Sequence, residues 1–270
     1  MRKNWKFRTA ASLAVTAVLS VAIFLLFFSI ELLVGYFSAH SFQESLRLSG
    51  YAAGMEEEML EKQKALFASY GLPESLTEEI WEGSKAYLAF YKYVDDGIVE
   101  EASGDFGQQE VLEEYLKNQG TYETEEVQEA LKLVVAESKA ICKRYVYPSF
   151  VRGYQQFVQA RKPVFVGMLA AAAVIGAVCI VLLFRWYHCR HHALYYITGS
   201  CFTAMVWNVV VSAAGTGRWF MLSGIETGYY QQFLEIYKTR GMYPWYAFSI
   251  VAAAAAVLLL VVSIRMRNRK

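Results

Sequence analysis

The densest collection of chemically active side chains is Arg185–His192, Arg-Trp-Tyr-His-Cys-Arg-His-His. His188 and His192 are four apart and share a face wherever the stretch is helical, with Cys189 and His191 beside them. Imidazole and thiolate together suit zinc or copper, and a tetrahedral site needs four such ligands. The spacing matches no closed finger pattern, and the same eight residues must reverse the chain between two apolar segments. Trp186 and Tyr187 fit an interfacial aromatic belt, and Arg185 and Arg190 fit anchoring beside a bilayer. The primary reading is a structural turn, with no cofactor expected. A metal site built from His188, Cys189, His191 and His192 is the alternative.

Two further polar residues stand out because of their apolar company. Asn208 lies inside the run Ala193–Ala214, where its amide must find partners and serves best as packing glue between helices. Glu31 follows 22 uncharged residues and is expected at an outer interface, its carboxylate reaching water, or else turned toward a partner helix. The acidic clusters Glu56-Glu57-Glu58, Asp95-Asp96 and Glu123/Glu125/Glu126 do not fit the ligand spacing of a twelve-residue calcium loop. They read as solvated helix faces and helix N-terminal charges. No zinc-protease, nucleophile-elbow, phosphate-loop or dinucleotide-turn motif occurs, so no catalytic residue is assigned and the chain is not expected to be an enzyme.

The elements that must carry these residues follow from charge and hydropathy. The chain has 270 residues, 56% of them hydrophobic, above the usual share for a soluble domain. Its formal net charge of +1 hides a strong segregation. Residues 38–162 hold 22 acidic and 13 basic side chains, a net −9. Residues 1–8, 185–192 and 265–270 together hold ten Lys/Arg and no acid. These basic pieces are too short for a nucleic-acid-binding domain, and each adjoins a long apolar run. They read as cytosolic topology markers.

Thr9–Ile30, at about 1.5 Å per residue, reaches roughly 33 Å, enough for a hydrocarbon core. It is longer than a signal-peptide core and no clean small-x-small site follows, so an uncleaved anchor is expected. The predicted plan is all-α, a polytopic membrane protein of four transmembrane helices. A basic N-terminus (1–8) leads to helix one (9–37). An acidic helical bundle (38–162) is inserted before helix two (163–184). The basic turn (185–192) and helix three (193–214) follow. An outer loop with an amphipathic helix (215–244), helix four (245–264) and a basic tail (265–270) complete it. Both termini are expected in the cytosol of a plasma membrane, with 38–162 outside. The missing Asn-x-Ser/Thr sequon favours a bacterial surface.

Within 38–162 the periodicity is helical and no run alternates at period two. Met55, Met59, Leu66 and Tyr70 predict one inward stripe, and Gly71-Leu72-Pro73 breaks the chain. Ile80, Ser84, Tyr87, Tyr91 and Val94 predict a second stripe, with Leu88 beside it. Leu112, Tyr115 and Leu116 mark a short helix. Val127, Leu131, Val134, Val135, Ile141, Cys142, Tyr145 and Val146 mark a long one, interrupted at Pro148. Arg161-Lys162-Pro163 is expected to close the bundle. Ile225, Tyr229, Phe233 and Tyr237 recur at fours and form the amphipathic segment of the outer loop, lying on the membrane surface or docked under the bundle. Gly167/Ala171 and Ala172/Gly176 are small-xxx-small pairs that admit a close neighbour helix. Of the four cysteines, Cys142 alone lies outside, so no internal disulfide is expected there.

The plan of span, helical domain and span is similar in outline to bacterial chemoreceptors and sensor kinases, without a motif to carry the likeness. The expected cytosolic parts total 22 residues and leave no room for an output domain among them. The function expected is therefore that of a membrane accessory, assembly or regulatory protein. It acts through its outer helical domain on a membrane or envelope partner, with self-association through the helix stripes a further expectation. The alternative is a small transporter or channel component with a polar path along Asn208, Thr203 and Ser200; a membrane enzyme or a metal- or haem-binding protein ranks below both.

Overall fold

A computed structural model describes residues 2–81, 85–96, 105–187, 190–216 and 228–268. Among these residues the protein is all-helical, with no strand. The helices are α1 (Arg2–Val34), α2 (Ala39–Leu48), α3 (Tyr51–Ser69), α4 (Ser75–Ile80) and α5 (Lys85–Asp96). Then come α6 (Gln108–Asn118), α7 (Glu125–Val146), α8 (Ser149–Trp186), α9 (Arg190–Thr216) and α10 (Gly228–Asn268). Four of them, α1, α8, α9 and α10, contain stretches long and apolar enough to cross a membrane.

The chain divides into two units: residues 1–42, 159–225 and 234–270 form one, and residues 43–158 with 226–233 form the other. In the second unit α3 packs against α4, α5 and α7, and α6 packs against α4 and α7. Its local rules are visible at the helix ends. α3 stops in a Schellman turn: Leu72 N–H donates to Phe67 O, Gly71 N–H donates to Ala68 O, and Gly71 sits at φ 71°. α6 stops the same way at Gly120, φ 70°, with Thr121 N–H on Leu116 O. α7 begins after Thr124 with Glu125 and Glu126 in its first turn and ends with Lys143 and Arg144, so both ends complement the helix dipole. Pro148 separates α7 from α8.

The core of this unit follows helical spacing, but in a register partly different from the one predicted. On α3 the buried stripe is Tyr51, Met55, Met59, Gln63 and Phe67, while Tyr70 is exposed. On α5 it is Ala86, Phe90, Tyr93 and Val94, with Tyr87 and Leu88 turned out. Phe90 decides that register because it stacks on Tyr51 at 5.4 Å. The first turn of α10 belongs to this same unit. Tyr229 and Tyr230 and the fully buried Phe233 close around Tyr51 and Phe150. Tyr229 and Phe233 of the predicted amphipathic segment are therefore docked in the bundle; Ile225 lies outside the described residues.

In the first unit α1 packs along α9. Leu19, Cys179, Leu183, Ala193 and Ile197 form its buried cluster, with Val15, Ile180 and Leu259 around them. Near the other end Phe28 meets Phe165 of α8 at 6.2 Å and Trp245 of α10 edge-on at 5.5 Å. Two prolines fail to end helices: α8 runs through Pro163 and α10 through Pro244. A proline inside a helix costs about 3 kcal/mol, chiefly through one lost hydrogen bond and one carbonyl clash. In helices of 38 and 41 residues the rest of the ladder carries that cost. The breaks expected at Pro163 and between 244 and 245 are thus internal to single helices.

Candidate functional site

The most unusual polar group of the first unit is on α1. Phe27 and Phe28 face α8 and α10, and one turn later the same face presents Glu31. Glu31 is 0% exposed. Its Oε1 accepts from Asn208 Nδ2 on α9 at 2.6 Å, and the same Nδ2 lies 3.3 Å from Ser249 Oγ on α10. Three helices are thus linked through the Asn208 amide, which holds Glu31 of α1 and Ser249 of α10. Of the two readings of Glu31, the geometry gives the turn toward partner helices, because Asn208 supplies a hydrogen bond that the apolar surroundings do not. Glu31 Oε2 and Asn208 Oδ1 are also buried and have no hydrogen-bond partner among the described residues. No Lys, Arg or His occurs in 9–34, 164–184, 193–214 or 245–264, so the carboxylate has no cationic partner within these stretches.

The remaining polar contacts between these helices show how they run. Ser200 Oγ donates to Thr16 O at 3.0 Å, while Asn208 meets Glu31 further along both helices, so α1 and α9 are parallel. Tyr187 O–H donates to Ser12 Oγ at 2.8 Å, and Ser263 Oγ donates to His191 O at 3.2 Å. Ser12 of α1, Tyr187 at the end of α8, His191 at the start of α9 and Ser263 near the end of α10 therefore lie at one end of this unit. At the other end Tyr237 O–H donates to Tyr36 O, and α10 passes so close at Gly241 that an added Cβ would collide with the Tyr36 ring. Only glycine admits that approach.

The predicted site residues separate accordingly. Asn208 is 2% exposed and bonded between helices. Ser200 is buried against α1, but Thr203 is exposed and bonds only back to Gly199 O, so the three residues of the expected polar path do not share one face. Ala172 is buried, and Gly176 faces Leu19 of α1. Gly167 and Ala171 are exposed, and no atom lies where a Gly167 Cβ would stand. His188 and Cys189 lie outside the described residues; His191 and His192 pack ring to ring at 4.2 Å, and Tyr187 lies 6.0 Å from His192. Among the described residues no three His, Cys, Asp or Glu side chains gather as metal ligands would.

The second unit holds a polar group that hydrophobic patterning passes over. Gln63 Nε2 donates to Ser138 O at 2.9 Å and to Cys142 Sγ at 3.1 Å, and Ser138 Oγ donates back to Gln63 Oε1 at 2.9 Å. Gln108 Nε2 reaches the same sulfur at 3.4 Å. All four side chains are 0% exposed, and burial pushes the Cys142 thiol up to about 12. A thiol so held is a packing group and a hydrogen-bond acceptor, not a nucleophile. On the flank of the same unit Glu58 accepts from Tyr229 O–H at 2.6 Å and Tyr145 O–H at 3.0 Å, fastening the start of α10 to α3 and α7.

Compared with known proteins, the chain matches no family, no curated protein and no solved structure. What stands is the class the fold defines: an all-helical protein with four helices long and apolar enough to cross a membrane.

Proposed function

We propose that the protein is a multi-pass membrane accessory, assembly or regulatory protein, with its basic end in the cytosol and residues 38–162 outside. The observation that carries this reading is the meeting of Ser12 with Tyr187 and of His191 with Ser263. It brings together, at one end of the four-helix unit, residues that lie in or beside the three chain segments holding ten Lys/Arg and no acid. A bilayer with a cytosolic positive bias would hold that end inside. The other supports are the acidic helical unit with its own buried core and the small-residue face of α8 at Gly167 and Ala171, open to a neighbouring helix.

Crosslinking and pull-down from native membranes tests the reading. A constant membrane or envelope partner, lost when residues 43–158 are deleted, is the expected result. Recovery of the protein alone, with its cellular role intact after the deletion, would overturn it. A second reading, a small transporter component, draws on the buried carboxylate of Glu31. Reconstituted vesicles whose ion or solute flux falls in Asn208→Leu would favour it; absence of flux from the wild type would remove it.

A further inference from the structure

The contacts of Glu31 and Asn208 leave two atoms over, and both are of one kind. With Asn208 Nδ2–H on Glu31 Oε1, the unpaired buried atoms are Glu31 Oε2 and Asn208 Oδ1. If the carboxylate is ionised, both are acceptors with no donor. An ion in such surroundings carries a desolvation penalty that only pairing relieves. Nothing charged offers that relief. Asn208 of α9 reaches Glu31 and Ser249 of α10 reaches Asn208 in turn; both are neutral, and residues 9–34, 164–184, 193–214 and 245–264 contain no Lys, Arg or His. Trp245, one turn before Ser249 on α10, has a buried indole N–H without a partner, but its single hydrogen cannot serve both oxygens and leaves the charge in place.

One proton does serve both. A carboxylic acid and a primary amide pair through two antiparallel hydrogen bonds, amide N–H to acid carbonyl and acid O–H to amide carbonyl. The first of these is present at 2.6 Å, and the two orphaned atoms are the donor and acceptor oxygens of the second. We propose that Glu31 and Asn208 form a proton-binding site between α1 and α9, in which Glu31 is a neutral acid closed onto the Asn208 amide. Protonation removes the charge, satisfies Oε2 and Oδ1 together and clamps the two helices. The site does not depend on which side of a membrane either end faces, nor on the accessory reading.

Infrared spectroscopy of the full chain in lipid vesicles at pH 7 reads the proton directly. The wild-type minus Glu31→Gln difference spectrum should contain the carbonyl stretch of a protonated carboxylic acid, lowered in frequency in D2O. Glu31→Gln itself should keep the wild-type melting temperature, since its amide supplies the same donor to Asn208 Oδ1. Where Glu31→Gln does not fold, Asn208→Leu replaces it: the acid carbonyl should persist and move to higher frequency as its hydrogen bonds are lost. A wild-type spectrum without a carboxylic acid band, or a difference spectrum showing loss of carboxylate stretches alone, overturns the proposal.

Discussion

Glu31 and Asn208 carry most of the chemistry of the membrane-type helices. Asn208→Leu strands the buried carboxyl group of Glu31 and removes an interhelical hydrogen bond. The bond alone contributes about 0.6–2 kcal/mol, and the stranded group adds to the loss. The variant should melt several degrees below wild type in detergent, and an unchanged melting temperature would show that the contact does not hold α1 to α9. Cys142 gives a second test at this scale. With its thiol raised to about 12 by burial, it should alkylate at pH 8 on the order of 1000-fold more slowly than a free peptide thiol, and at the ordinary rate once unfolded. Mass spectrometry of the modified peptide checks both rates. Asn208 was legible from its apolar neighbours alone. The pairing with Glu31 was not, because 177 residues separate them and neither residue's local pattern points to the other. Gln63 and Ser138 escaped for a related reason: an apolar stripe reads polar residues as outward, yet these two satisfy each other inside.

Elements are governed by spacing and by close approach. The α3 stripe puts Met55 and Phe67 at 0% exposure, so Met55→Ala or Phe67→Ala should cost about 2–5 kcal/mol in denaturant unfolding. Tyr70→Ala, at 39% exposure, should cost little, which separates the observed stripe from the Met55–Met59–Leu66–Tyr70 stripe that periodicity suggests. Both stripes obey helical spacing; packing against Ser138 and Cys142 selects the one through Gln63. Gly54 marks a second constraint. A Cβ there would stand 2.8 Å from Tyr229, so Gly54→Leu should loosen the start of α10 by about 1–3 kcal/mol, read as faster amide exchange over residues 228–233. Helix ends at Gly71, Gly120 and Pro148 were legible because each acts locally on the backbone. Pro163 and Pro244 misled for the opposite reason, since a long helix outweighs one missing hydrogen bond.

At the scale of the whole molecule, the alternation of apolar runs and basic segments was enough to locate four helices able to cross a membrane. Hydrogen bonds from Tyr187 to Ser12 and from Ser263 to His191 add that residues in or beside the basic segments meet at one end, which no single segment's pattern carries. The central claim is that this end faces the cytosol while the acidic helical unit faces out. Membrane-impermeant maleimide labelling of intact cells tests it most directly, with cysteines introduced at two exposed positions, Glu57→Cys on α3 and Arg267→Cys at the end of α10. Glu57→Cys should label in intact cells, and Arg267→Cys only after permeabilisation. Labelling of Arg267→Cys in intact cells, with Glu57→Cys protected until the membrane is opened, would contradict the account.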